Sequence, residues 1–425
     1  MARLVMVGLS HRATPLDLRE RVAVDETAWR VTAPAAFSTV LLSTCNRVEV
    51  YAWVDGRPAE AIRSLQRSLA RSADIPLADL QPHLRTATGT DALVHLVRVA
   101  SGLDSLVVGE EQIRGQVRDA VRAAESVRPL PAALRGIFQR VGESARRIRG
   151  ATRLGSVPSI AAAGVNVARR SLPDSLAGEV AVVLGAGVMA RAAIETLLPS
   201  GARIKLLNRT PAHAEPLRAH FGSAIEIDSL AALPSALTEA VLVVGATASR
   251  QPVVDRAMLD QAVSSRAGRP PLVLLDIALP RDVDARAREL AAVKLIDLTD
   301  LEQLCPVDDE TRQAEYQRAE ALARAEADRL AKWLRFRAVS PAIAELRTYA
   351  ETIRKTELRR SAARLRDLTP EQVAAVEALT AGIVNKLMHG PTVALRDAAA
   401  TNPRGVGRSR SRILRVLRPT QGRTA

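Results

Sequence analysis

The run Gly185-Ala186-Gly187-Val188-Met189-Ala190 stands between a continuous apolar stretch, Val180 to Leu184, and a helix-like stretch, Ala190 to Leu198. Gly-x-Gly-x-x-Ala in that setting leaves few folds open. The first glycine permits a tight turn, the second lets a pyrophosphate approach the backbone, and the small third residue lets helix and strand pack closely. The helix N-terminus then faces the anion. The segment predicts a dinucleotide site cradled by Gly185, Ala186, Gly187, Val188, Met189 and Ala190. A second strand, Arg203 to Leu207, runs into Asn208-Arg209-Thr210, where an NAD-specific domain usually places an acid for the ribose hydroxyl. An arginine there can pair with a 2′-phosphate, so NADP is expected over NAD. Further apolar strands at Val241 to Val244, Leu272 to Ile277 and Val293 to Leu298 give the alternating order of a doubly wound parallel sheet. Asp276 and Asp282 stand at or beyond a strand's carboxyl end, where they either meet a ligand or cap local backbone.

Upstream, Ser43-Thr44-Cys45-Asn46-Arg47 lies between two β-rich runs, Thr39 to Leu42 and Val48 to Val54, and reads as a loop between paired strands. The second run alternates apolar and polar residues as a half-buried strand does. A thiol is thereby held on a rigid frame, and the Arg47 guanidinium two residues away favours thiolate, the reactive form. The stretch fits a nucleophile, and equally a small buried apolar cysteine.

With 425 residues the chain has room for two to four domains, and 47% hydrophobic with 25% charged residues describes a globular protein. No apolar run reaches membrane-spanning length and the N-terminus lacks a secretory h-region, so a cytoplasmic protein is expected. The two cysteines, Cys45 and Cys305, lack metal-ligand spacing, which argues against a disulfide framework or a metal site. A net charge of +14 suits a polyanionic partner such as nucleic acid, and also simple solubility. Aromatic content of 2% points to phosphate and shape recognition over base stacking.

In chain order, Leu4 to Val7 reads as a strand, followed by His11 in a loop and an Arg-rich amphipathic helix from about Ala59 to Ser72. Thr90 can cap a helix from Asp91 to Ala100, with His95 off its apolar stripe and either reaching a cleft or serving structure. Gly109-Glu110-Glu111-Gln112 opens another helix on which Gln112 and Gln116 share a face, a polar reader or an ordinary surface helix. Turn residues around Gly150 and Gly155 mark a domain boundary, and a small-residue helix, Ser159 to Ser171, leads onward. From Pro306 to Pro341 no proline or glycine intervenes, giving a rod about 50 Å long. Two more helices follow, Ala342 to about Leu368 and Pro370 to Met388, the second with an apolar row (Val373, Val376, Leu379, Ile383, Val384, Leu387), and helices with so few internal partners predict cover by a second subunit. The Arg-rich stretch from Asn402 reads as a disordered tail or as a grip on RNA phosphates.

These blocks together resemble the glutamyl-tRNA reductase family. The resemblance rests on Gly8-Leu9-Ser10-His11-Arg12 through Leu18-Arg19-Glu20, Ser43 to Glu49, Ala100 to Ser105 with Gly109 to Gln116, the nucleotide fingerprint, and Asp276 to Asp282. It implies an N-terminal α+β catalytic domain, a Rossmann NADP-binding domain, a long spinal helix and a C-terminal helical dimerisation domain. Expected extents are 1–150, 160–305, 306–340 and 341–400, with a basic tail over 401–425. By the same resemblance Cys45 is the nucleophile, His95 supports activity, and Thr44, Asn46, Arg47, Ser105, Glu110, Glu111, Gln112 and Gln116 line a glutamyl pocket. NADPH would lie on Gly185 to Ala190 with Asn208, Arg209 and Thr210. Expected partners are glutamyl-tRNA, a second copy of the chain, and glutamate-1-semialdehyde aminomutase. Gly150-Ala151-Thr152-Arg153 departs from the family's usual Thr-Glu-Thr run, and Ala13-Thr14 reverses its commoner order.

The implied chemistry is attack of Cys45 on the ester joining glutamate to tRNA, then reduction of the thioester to glutamate-1-semialdehyde. Arg47 would pair with a substrate carboxylate and Glu110 with its ammonium. Since Cys45 and the nucleotide loop fall in different domains, a swing about the link near Arg149 to Ser159 or the base of the rod is expected to bring them together. The alternatives are an NADP-linked reductase of another small molecule or thioester, and a non-catalytic RNA-binding regulator.

Overall fold

The structure is a computed structural model and describes residues 2–24, 26–153, 159–172, 175–266, 268–304 and 310–401. It divides into two compact units, Ala2–Ala327 and the chain from Asp328 onward. Cys305 and the basic tail from Asn402 lie outside the described residues.

The first unit holds two sheets. Strands β1 (Arg3–Ser10), β2 (Ser38–Thr44), β3 (Arg47–Val54) and β4 (Arg85–Thr88) form an antiparallel sheet in the order β2-β3-β1-β4. The alternation foreseen in β3 is real, but its polar face is not solvated: Arg47, Glu49 and Tyr51 are all fully buried. Two helices close over that face. Thr90–Ala100 brings His95 to Glu49, and Ala132–Ala151 sets Phe138 edge-on against Tyr51. Thr90 is the first residue of its helix and not the cap, which falls to Gly89 at φ +60°. A glycine takes that conformation at little steric cost.

The second sheet is wholly parallel. Its strands are β5 (Val180–Leu184), β6 (Arg203–Asn208), β7 (Ile225–Ser229), β8 (Ala240–Gly245), β9 (Leu272–Asp276) and β10 (Val293–Ile296), in the order β10-β9-β8-β5-β6-β7. Apolar clusters cover both faces, as the continuous Val/Leu runs require. From β5 the chain winds to β6 and β7 on one side and crosses back to β8 on the other. Such a reversal opens a crevice at the strands' carboxyl ends. β4 and β7 escaped the sequence reading because both are edge strands, where Arg85-Thr86-Ala87-Thr88 and Glu226 or Asp228 interrupt any apolar run.

The foreseen rod is longer than expected. Helix Glu310–Arg360 runs 51 residues, about 76 Å, straight through Pro341. A helical proline removes one backbone hydrogen bond, and the turns on either side carry the helix past it. The break falls instead before Pro370, where helix Pro370–Thr401 begins. Within the second unit Leu346, Met388 and Leu395 make a small core, while Leu379 and Leu387 are about two-thirds exposed at 64% and 65%. An apolar row left outside so small a core is what a subunit contact would cover. Among the described residues no helix is long and apolar enough to cross a membrane.

Candidate active site

Thr44 pairs with Arg47 across the β2–β3 ladder, so Cys45 and Asn46 are the two residues of a tight hairpin turn. The Thr44 Oγ1 accepts from the Asn46 backbone N–H at 3.2 Å, and the Asn46 carbonyl accepts from the His11 N–H at 2.8 Å. The thiol therefore sits on a pinned loop, half-buried. It lines a cavity of about 470 Å³ together with Gln112 and Gln116, the nucleotide-loop residues Gly185 to Met189, Asn208, His213 and Thr247. The sulfur-bearing loop and the dinucleotide cradle, expected to need a swing to meet, already share one cavity.

Ion pairs hold the two halves of the unit in that arrangement. Arg281, following β9, donates through its backbone N–H and Nε to Glu20 at 2.7 and 2.8 Å, and also pairs with Asp17. In the opposite sense Arg19 donates to Glu302 at 2.8 Å. Around β3 a second network is sealed from solvent. Arg47 Nη1 donates to Glu49 at 2.8 Å and Asp104 at 3.0 Å, Nη2 donates to the Asp104 carbonyl, and Tyr51 and His95 both bind the Glu49 carboxylate. Despite the burial of Glu49, His95 and Arg47 beside it hold its carboxyl well below the usual range.

Charge at the thiol differs from the expectation. Burial, then the Glu110 carboxylate, push the Cys45 thiol up to about 12; Arg19 opposes them more than Arg47 does. Arg47 is neither the main activator of the thiol nor offered to a substrate carboxylate. A guanidinium buried this deeply needs counter-charges, and Glu49 and Asp104 supply them. Glu110 is buried too, and burial raises its carboxyl to about 7 against a hydrogen bond from Ser105. Three buried acceptor oxygens, Asn46 Oδ1 in the thiol's own turn, Gln112 Oε1 on a residue of the cavity wall and Glu110 Oε2 of the carboxyl that acts on the thiol, have no hydrogen-bond partner among the described residues.

Of the remaining expected residues, His95 lies behind the loop in the buried network, and Glu111 points away, exposed and paired with Arg114 at 3.0 Å. Ala190 is buried under the cradle. Asn208 reaches the cavity and donates to the Thr210 carbonyl at 2.7 Å, whereas Arg209 and Thr210 are exposed past the end of β6. Asp276 and Asp282 act as caps. Asp276 accepts from the Ala278 and Val283 N–H groups at 3.1 and 2.8 Å, and Asp282 accepts from the Thr247 N–H at 2.8 Å. They fix the two loops that floor the cavity. Arg19, Asp104, His213 and Thr247 were not foreseen as site residues; Arg19 and Asp104 stand in blocks that carry the resemblance, and Glu49 and Tyr51, alternating with apolar neighbours in β3, also carried a local signal.

The cradle fits a dinucleotide. Gly185 has φ +97°, and a Cβ there would meet the Ala246 carbonyl oxygen at 2.6 Å. Gly187 caps helix Val188–Leu197, lines the cavity, and would place a Cβ within 4 Å of no protein atom, so its face is open to close approach. Gly185→Ala is expected to weaken dinucleotide binding at least tenfold by forcing β5 and β8 apart at the crevice. Fluorescence titration with reduced cofactor measures it, and an unchanged Kd would contradict this account of the turn.

Comparison with known proteins agrees with the architecture. The family profile "Glutamyl-tRNAGlu reductase, N-terminal domain" matches residues 7–152, and "Glutamyl-tRNAGlu reductase, dimerisation domain" matches residues 318–418. Between them "Shikimate / quinate 5-dehydrogenase" matches residues 166–304. The glutamyl-tRNA reductase of Acaryochloris marina is 35% identical over 403 residues, spanning 92% of each chain. The chain belongs to the glutamyl-tRNA reductase family. The relative from Herpetosiphon aurantiacus is 37% identical over 94% of this chain and 95% of its own. The solved glutamyl-tRNA reductase of Methanopyrus kandleri is 28% identical, with 96% of this chain and 98% of that one covered and a TM-score of 0.47. As a member of this family the chain is an oxidoreductase, with a nicotinamide-binding domain and a domain for dimerisation.

Proposed function

We propose that this enzyme reduces glutamyl-tRNA to glutamate-1-semialdehyde with NADPH, the first step of five-carbon tetrapyrrole synthesis. The observation that carries the reading is the common cavity of Cys45 and the dinucleotide cradle. Attack of the Cys45 sulfur on the aminoacyl ester carbonyl forms a thioester and releases the tRNA 3′ oxygen, which takes up a proton. Asn46 Oδ1, Glu110 Oε2 and Gln112 Oε1 are three acceptors for the three N–H bonds of the glutamyl ammonium, with Glu110 ionised by that contact. Thr44 shapes the turn under the thiol, Ser105 orients Glu110, and His95 with Arg47 holds Glu49 and so the hairpin. Residues 185–190 and Asn208 would hold NADPH, which when bound would supply the hydride that turns the thioester into the aldehyde, with Cys45 released as the thiolate. Arg209 and Thr210, exposed past the end of β6, would take its 2′-phosphate.

The N-terminal half binds substrate, the parallel-sheet half binds cofactor, and the C-terminal helices pair two copies in the cytoplasm. Direct handover of the reactive aldehyde to the aminomutase fits this picture. The +14 charge suits the tRNA partner. Oxidation of NADPH by the purified enzyme with glutamyl-tRNA, before and after ribonuclease treatment, tests the reading: turnover that survives digestion refutes it. Arg209→Ala is expected to raise KM for NADPH about tenfold and leave NADH use unchanged. Equal effects on both cofactors would reassign the 2′-phosphate contact.

A further inference from the structure

Arg19 is a charged side chain only 2% exposed, on the short helix Leu16–Arg21 outside the pocket foreseen from sequence. It reaches in two directions. Nη1 donates to the Cys45 carbonyl at 3.4 Å, and Nη2 donates to Glu302 Oε1 at 2.8 Å. Glu302 lies on helix Leu298–Leu304, beyond β10 in the nucleotide-binding half, and is 26% exposed. One guanidinium thus bridges the thiol's own loop and a carboxylate of the other half.

We propose that Arg19 is a positioning residue for the Cys45 nucleophile, its charge shared between the thiol loop and Glu302. The inference rests on the reading of Cys45 as nucleophile and goes beyond it. Buried charge acts strongly because little water screens it. The groups facing the thiol are Arg19 from its helix, Arg47 from β3 and Glu110 from the turn before helix Gln112–Val127. Of the two cations Arg19 has the larger influence, and Arg47 is held by Glu49 and Asp104. Glu302 competes for Arg19 in the docked arrangement. His11 also lies near Arg19, but burial and its arginine neighbours lower its pKa to about 4, so it carries no charge at neutral pH. Any motion that separates the halves breaks the Arg19–Glu302 pair and leaves the full charge of Arg19 to the thiol loop. Docking then restrains the sulfur, and undocking readies it for the next acyl group.

The test follows alkylation of Cys45 in the full-length enzyme without tRNA or cofactor. Iodoacetamide is the probe, rates are taken between pH 7 and 9, and modification is read on the peptide carrying residue 45. Arg19→Gln should slow alkylation at pH 8 about threefold or more, as a thiol pKa rise of about one unit does once the greater intrinsic nucleophilicity is counted. Arg19→Lys should retain most of the rate. Glu302→Gln should act in the opposite sense and speed it about twofold. Opposite signs from the two charge removals support the proposal. An unchanged rate in Arg19→Gln, or both variants shifting the same way as loosened packing would make them, overturns it. Should Arg19→Gln not fold, the sign for Glu302→Gln decides alone: faster supports, equal or slower overturns. A charge-dependent rate with no glutamyl adduct in the presence of glutamyl-tRNA would leave the hold of Arg19 on the thiol standing and overturn its positioning of a nucleophile together with the proposed function.

Discussion

Cys45→Ser should lower NADPH oxidation with glutamyl-tRNA by about a thousandfold or more, because in the proposed mechanism the thiol takes the acyl chain and a hydroxyl is a far weaker nucleophile. The fold should be intact, since the side chain sits half-buried at the tip of a hairpin and oxygen is smaller than sulfur. Mass spectrometry of the wild-type enzyme mixed with glutamyl-tRNA and no reductant should find a glutamyl mass on the peptide carrying residue 45, absent in the variant. Normal turnover in Cys45→Ser, or an adduct on a different residue, would end the proposed mechanism. The pH dependence has a definite sign. With the thiol raised to about 12, the thiolate fraction grows throughout the neutral and mildly alkaline range, so the rate of acylation should rise from pH 7 to 9. Binding of the glutamyl ammonium against Glu110 removes the second of the influences that raise the thiol, which favours thiolate once substrate is bound.

The largest effect on stability is expected from Glu49→Ala. It strips Arg47, His95 and Tyr51 of their common acceptor on a face with no water to replace it. Breaking one partner out of a buried ion network costs about 3–5 kcal/mol. For a unit of this size that is a fall in Tm of about 4–7 °C, read by calorimetry at pH 7. A change within 2 °C would show that the network is worth little. Because the folded-state pKa of Glu49 is depressed, its contribution is fully present above its ordinary value of 4.5 and is lost as pH falls through the lower folded value. The gap between parent and variant should therefore persist to pH 5 and close only in stronger acid. Activity should fall with stability, since Glu49 and Arg47 form the base of the turn that presents Cys45.

Both results turn on β3, where reading by sequence and by structure part company. Alternation along Val48 to Val54 was legible, and so was the turn that carries the thiol, because side chains on a strand point to opposite faces with period two. What alternation does not state is what covers the second face. Helices Thr90–Ala100 and Ala132–Ala151, remote in sequence, bury it and convert a polar face into an ion network. The same limit explains the reassignment of Arg47. Its nearness to Cys45 in sequence suggested activation, but Asp104, fifty-seven positions on, takes part of its charge.

Local order along the chain was enough for the parallel sheet with its dinucleotide cradle, the hairpin holding Cys45, the first part of the long helix and the family. Each is written in local order: a glycine pattern between strand and helix, a period of two, an uninterrupted helical run. It took the packed molecule to show that the cradle and the thiol line one cavity, that Arg19 and Arg281 tie the halves together, and that Asp276 and Asp282 are caps. The ties between the halves depend on charges meeting across more than two hundred residues of chain, as Arg281 meets Glu20, 261 positions away. Their strength comes from burial, which excludes water and lowers the local dielectric, and burial belongs to the packed molecule and not to any stretch of it.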